Sequence, residues 1–227
     1  MKTKINIIGR GNVATHLYKA FKQYISVNSI NPHTLDNIDV NADLTIISVS
    51  DDAIKSVVNH LPKLKGIVAH TSGSTGIDIF KDSHILKYGV FYPLQTFSKD
   101  KDLNYSKIPF FIEASDKETE RELLNLASLV SNNVRIANSK QRKKLHIASV
   151  FSCNFVNHLW ALSDRYLRQN DLSFSDLIPL IEETLEKTSF ISPEEAQTGP
   201  AVREDMNIIA SHIDDLDDNP TLQNIYK

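Results

Sequence analysis

The chain has 227 residues, 41% of them hydrophobic and 23% charged, with a formal net charge of -3. That length holds one large domain or two modest ones with a sizeable core, and the charge supplies no basic field to attract nucleic acid. No apolar run approaches the roughly 18 to 20 residues of a membrane helix. Met1-Lys2-Thr3-Lys4 lacks the apolar region of a secretory leader, and the single cysteine, Cys153, excludes an internal disulfide. With no CxxC or HExxH, no metal site is expected. The expected compartment is cytoplasmic, and Cys153 reads as a buried small side chain.

Ile5-Asn6-Ile7-Ile8 is a β-branched run ending at Gly9, the composition of a buried parallel strand. From Asn12 the period turns helical, with Val13, Leu17, Ala20 and Phe21 on one face. Ile25-Ser26-Val27 is a weak second strand, and residues 28–42 show no helical period. Leu44 to Val49 is a strong strand, and Asp51-Asp52 suits the start of a helix. Gly66 to His70 and Leu86 to Phe91 read as further strands. Ile108-Pro109-Phe110-Phe111-Ile112 reads as an edge strand, because proline cannot donate to a central ladder. Asp116 to Val130 is an amphipathic helix, and Val134-Arg135-Ile136 closes the series. Alternating strands and helices predict a doubly wound parallel sheet of α/β class over residues 1–138.

After Asn138 the pattern is helical throughout, so residues 139–227 are expected to form an all-helical second domain. Helices are predicted over 139–168, from Phe174 to Lys187 and from Pro200 to Ile213, with a fourth in the stretch Leu216 to Tyr226.

The segment Gly9-Arg10-Gly11-Asn12-Val13-Ala14 joins the first strand to the first helix, the setting in which G-x-G-x-x-A binds a dinucleotide. Gly9 permits a tight turn, Gly11 lets a pyrophosphate reach the helix N-terminus, and Ala14 lets the helix pack closely on the sheet. An acid about 20 residues on, which would bind an adenosine ribose, is missing from Val27-Asn28-Ser29-Ile30-Asn31. Nothing there repels a 2'-phosphate, which favours NADP over NAD, and Arg10, Ser29 or His33 could contact that phosphate. Ser48-Val49-Ser50, His70-Thr71-Ser72 and Tyr92 to Thr96 end successive strands and supply polar groups to one crevice.

On the long helix His146, Asn154 and His158 fall at multiples of four and are read as one face. His146 is a candidate general acid or base, and Asn154 a candidate for orienting a substrate oxygen. Gln197-Thr198-Gly199-Pro200-Ala201-Val202-Arg203 reads as a loop feeding a helix with Pro200 at its first position. Arg203 would there suit a substrate carboxylate or phosphate.

Together, Gly9 to Ala14, His70 to Ser74, Tyr92-Pro93-Leu94-Gln95-Thr96-Phe97, His146 to Asn154 and Thr198-Gly199-Pro200 resemble one family. It comprises Rossmann-like proteins with a C-terminal helical domain of unknown function, regarded as candidate NADP oxidoreductases. The resemblance spans nearly the whole chain and extends more distantly to pyrroline-5-carboxylate reductase, prephenate dehydrogenase and ketopantoate reductase. It implies hydride transfer on a small substrate in a cleft between the domains, with homodimerisation through the helical half. Relatives often carry Asn/Ser-Arg-Thr at the end of the second strand, whereas Asn28-Ser29-Ile30 here has no arginine.

Two functions follow from these residues. In the first, the protein is an NAD(P)-dependent oxidoreductase. His146 handles a proton, Asn154 orients the substrate, and Ser72 or Gln95 hydrogen-bonds it, while the cofactor carries the hydride. In the second, it is a catalytically inactive nucleotide-binding regulator or scaffold using the same crevice.

Overall fold

A computed structural model describes residues 3–227; the reading of Met1-Lys2 as free of a leader lies outside them. The chain divides into two compact units, Met1–Val150 and Phe151–Lys227.

The first unit contains β1 (Lys4–Ile8), α1 (Asn12–Phe21), β2 (Ser26–Ile30), β3 (Leu44–Ile47), α2 (Asp51–His60) and β4 (Ile67–His70). It continues through β5 (Tyr88–Pro93), β6 (Phe110–Ala114), α3 (Lys117–Ser128), β7 (Val134–Ile136) and α4 (Ser139–Ser149). The seven strands lie in the order β2-β1-β3-β4-β5-β6-β7. All neighbouring pairs are parallel except β5 with β6. From β1 the chain first adds β2 on one side and then β3 on the other, so β1 and β3 flank a topological switch point of a Rossmann-like sheet.

Alternation along the strands builds a core on each face. Ile5, Ile7, Leu44, Ile46, Ile67 and Ala69 pack with Leu17 and Phe21 of α1 and Leu123 of α3. Ile8, Ile47 and Val68 point the other way, onto Ile54 and Val58 of α2 and onto Phe80. A fully buried side chain such as Phe21 contributes about 1.5 to 3 kcal/mol. The proline strand differs from expectation: β6 lies between β5 and β7 and is not an edge. Pro109 sits one residue before it and only accepts, its carbonyl bonding the Leu94 amide at 2.9 Å. Leu86, read as strand, is 87% exposed in the turn before β5.

Helix α4 starts at an Asn138 capping box and packs in the first unit, beyond the predicted boundary at 138. A π-helical segment, Val150–Phe155, follows it and leads directly into α5 (Val156–Gln169). Its wider turns depart from the four-residue period on which His146, Asn154 and His158 were read as one face. Cys153 in this segment is exposed, contrary to the expectation of burial.

The second unit continues with α6 (Ile178–Lys187), α7 (Met206–Asp215) and α8 (Pro220–Tyr226), with no strand among its described residues. A 3-10 turn at Phe174–Leu177 precedes α6. The helix expected from Pro200 begins only at Met206, because Gly199 and Glu204 adopt positive φ angles of 112° and 56°, which interrupt a right-handed helix. Among the described residues no helix is long and apolar enough to cross a membrane.

Candidate active site

The carboxyl ends of β1, β3, β4 and β5 open onto a cleft of about 660 Å³ within the first unit. At its centre is the turn from β1 into α1. Gly9 has a φ of 141°, its amide donates to the Ile30 carbonyl at 3.2 Å, and a Cβ there would collide with the Ser48 carbonyl oxygen. Only glycine fits this junction of β1, β2 and β3. Ala14 is buried directly beneath it. Gly9 and Ala14 therefore shape the turn from below and do not line the cleft, whereas Arg10, Gly11, Asn12 and Val13 do.

Helix α1 has no side-chain cap, and its first intrahelical amide bond runs from Thr15 to the Gly11 carbonyl. The Asn12 side chain instead donates to the Phe97 carbonyl at 2.8 Å. The amides of the first turn are therefore free of side-chain capping at the cleft, and no protein atom lies within 4 Å of where a Gly11 Cβ would stand. This combination of open space and helix N-terminus suits an anionic group.

Ser48, Val49 and Ser50 line the next wall, with Thr71 donating to the Ser48 hydroxyl oxygen at 3.3 Å. Pro32 and His33 line the far end. Ser29 does not; it lies on the exposed part of β2, paired with Ile7.

His70 also departs from the crevice reading. Strand alternation turns its ring into the core, stacked on Phe80 with centroids 5.7 Å apart and fully buried. Its Nδ1 accepts from the Ser72 amide at 3.1 Å. Burial, with Arg142 adding a nearby positive charge, pushes its pKa from 6.5 down to about 3, so the ring is neutral.

Ser72 does line the cleft, but its hydroxyl oxygen accepts from the Ser74 and Thr75 amides at 3.1 and 2.9 Å. Its main role is to hold a turn, leaving one proton to donate. Gln95 bends its side-chain oxygen back to the Thr96 amide at 2.8 Å and keeps its NH₂ for the cleft.

His146 reaches the same cleft from α4. Its Nδ1 lies 3.1 Å from the Tyr92 hydroxyl at the end of β5. Burial raises the Tyr92 pKa, opposed in part by Arg142, so the phenol stays protonated. Asn154 and Arg203 belong to the second unit, where Asn154 lies in the exposed π segment and Arg203 pairs with Asp205 at 2.8 Å.

Two contributors escape a reading of the sequence as separate motifs. Tyr92 stands inside the Tyr-Pro-Leu-Gln-Thr block, and alternation along β5 was the available signal. Arg142 is fully buried although it sits among exposed lysines. It donates to the Ser72 and Thr75 carbonyls at 3.2 and 2.6 Å and pairs with Glu113. Ser139 completes the network, donating to Glu113 at 2.7 Å and accepting from the Ile77 amide at 3.0 Å. The turn after β4 is thus clamped from α4 and β6.

Known proteins share this fold. A candidate NADP oxidoreductase from Bacteroides fragilis is 37% identical, with a TM-score of 0.89 over 99% of this chain and 95% of that one. A pyrroline-5-carboxylate reductase from Coxiella burnetii has a TM-score of 0.59 at 17% identity, covering 100% and 94%. A reductive aminase from Aspergillus terreus, solved with NADPH and ethyl levulinate, has a TM-score of 0.62 at 14% identity, covering 95% and 78%. These last two show the likeness of fold. No curated protein matches the chain. The model of the domain of unknown function DUF2520 matches residues 108–227, and with the Bacteroides likeness over the whole length, the chain belongs to the DUF2520 family of Rossmann-like proteins.

Proposed function

We propose that the protein is an NADP-dependent oxidoreductase acting on a small substrate. The observation that carries this reading is the uncapped N-terminus of α1 opening onto the cleft beside the empty space at Gly11. A dinucleotide pyrophosphate fits there, held by the amides of Asn12 and Val13. Arg10 and His33 line the same cleft and supply the partners for a 2'-phosphate that β2 lacks. NADPH in the Aspergillus relative supports the choice of cofactor. When bound, the cofactor supplies the hydride. His146 offers the cleft a ring nitrogen able to hold or release a proton, and Ser72 and Gln95 offer hydrogen bonds to the substrate. Asn154 stays the candidate for orienting a substrate oxygen, and Arg203 the candidate for a substrate carboxylate or phosphate, on the residue types and positions that the sequence supplies.

A homodimer formed through the helical unit belongs to the same proposal. Phe155, Leu180, Leu185, Phe190 and Met206 are all more than half exposed there, apolar side chains that a second copy would cover. A cytoplasmic location fits the unpaired Cys153 thiol.

Titration of NADPH fluorescence tests the reading. Gly11→Val should weaken binding on the order of a hundredfold, because a clash of about 3 kcal/mol now opposes the ligand. Folding should be little affected, since Gly11 has an extended backbone that valine adopts readily and a Cβ there meets nothing within 4 Å beyond its chain neighbours. Absence of NADPH binding by the unmodified protein at millimolar concentration would defeat the proposal. Binding without turnover across a carbonyl and imine panel would instead favour the regulator.

A further inference from the structure

Helix α4 presents two residues, one turn apart, to the sheet unit. Arg142 is buried and clamps the turn after β4, and His146, four residues on, reaches the cleft. Between them the backbone of Gly73 comes so close that a Cβ would stand 2.8 Å from both His146 Nδ1 and Tyr92 Cζ. The His146 and Tyr92 rings meet edge to face, their centroids 6.1 Å apart at 73°. The ring of His146 is therefore held by its Nδ1 edge, and Nε2 makes no hydrogen bond among the described residues while the residue lines the cleft.

A neutral imidazole carries one proton, and the partner of the held nitrogen decides where it resides. We propose that Tyr92 is a positioning residue for His146: its hydroxyl donates to Nδ1, so the imidazole proton stays on Nε2 and is offered to the cleft. The substrate this selects is a hydrogen-bond acceptor, a carbonyl oxygen or imine nitrogen at the carbon that takes the hydride. A neutral histidine polarises such a group without first having to be charged. The Ser149 hydroxyl donates to the His146 carbonyl at 2.7 Å, so its oxygen is the acceptor that competes with Nδ1 for the phenol proton. The charged groups acting on Tyr92 are Arg142 and Asp51.

The substrate class rests on the oxidoreductase reading, but the tautomer does not. Long-range ¹⁵N–¹H spectra of histidine-labelled protein read it without cofactor, with His146→Ala identifying the resonances among eight histidines. In the unmodified protein Nε2 should carry the proton, and Nδ1 should show the shift of a nitrogen accepting a hydrogen bond. Tyr92→Phe should remove that shift and populate both tautomers, whereas Ser149→Ala should leave it in place. A proton found on Nδ1 in the unmodified protein, which would mean the phenol turns to Ser149 instead, overturns the proposal. So does a His146 ring indifferent to Tyr92→Phe. Once His146→Ala has assigned the resonances, the spectrum of the unmodified protein decides the matter even if Tyr92→Phe does not fold. Loss of NADPH binding would sink the proposed function and leave the tautomer result standing.

Discussion

The two units of this chain bury very different shares of their apolar side chains. In the first, the strands turn alternate residues into two cores, and even an arginine is wholly enclosed. In the second, Leu162 is the sole hydrophobic residue counted as buried among those described, while Leu185 and Phe190 are 72% and 80% exposed. Burial is the main source of folding free energy, so most of it comes from the sheet unit. The contrast also separates the chemistry. Every residue lining the proposed cofactor cleft comes from the sheet unit, where close packing restrains side chains.

The sharpest way to break this contrast is to strike the clamp in the first unit. Arg142→Met removes the donors to the Ser72 and Thr75 carbonyls and leaves the Glu113 carboxylate without its cation. Removing one partner of a buried pair costs about 3 to 5 kcal/mol. Urea denaturation should show a loss of that size, and NADPH binding should weaken as the turn after β4 loosens. Arg142→Lys should recover little, since an ammonium cannot reproduce the planar fork. A midpoint unchanged in Arg142→Met would show that the clamp does not hold the unit together.

The next effect is absent at neutral pH, grows as acid is added, and comes from His70. The folded protein keeps this ring unprotonated down to about pH 3, while the unfolded chain takes up the proton near 6.5. The unfolded state thus binds more protons across that window, and stability falls as pH drops through it, by about 1.4 kcal/mol per pH unit from this residue. His70→Gln, which keeps an acceptor for the Ser72 amide, should flatten the decline measured by denaturation between pH 6.5 and 4. Parallel curves for the two proteins would place the ring in solvent.

How much of this could be read from residues alone differs between the units for the same physical reason. The turn Gly9 to Ala14 and the start of α1 were legible because glycine freedom and helical period are local. Strand β7 matches its predicted Val134–Ile136. The fate of His70 needed the strand register, since one step along β4 separates cleft from core. Pro109 misled because its missing donor was assigned to a strand that begins one residue later. Arg142 was hidden by its charged neighbours, because burial of an arginine depends on carbonyls 67 and 70 residues away. In the helical half, Glu204 in a left-handed conformation ended a pattern that periodicity alone would have continued.

The mildest substitution tests the second unit. Leu185→Glu places a charge on a side chain of α6 that is already mostly in solvent. Within a single chain such a change costs no more than about 0.5 kcal/mol. If α6 lies in a dimer interface, the same glutamate is desolvated there, and sedimentation should show the dimer giving way to monomer. The melting temperature of the unmodified protein should then rise with concentration, and that of Leu185→Glu should not. Equal sedimentation of the two proteins over a wide concentration range would remove α6 from any interface, and the exposed apolar surface of this unit would need a different partner.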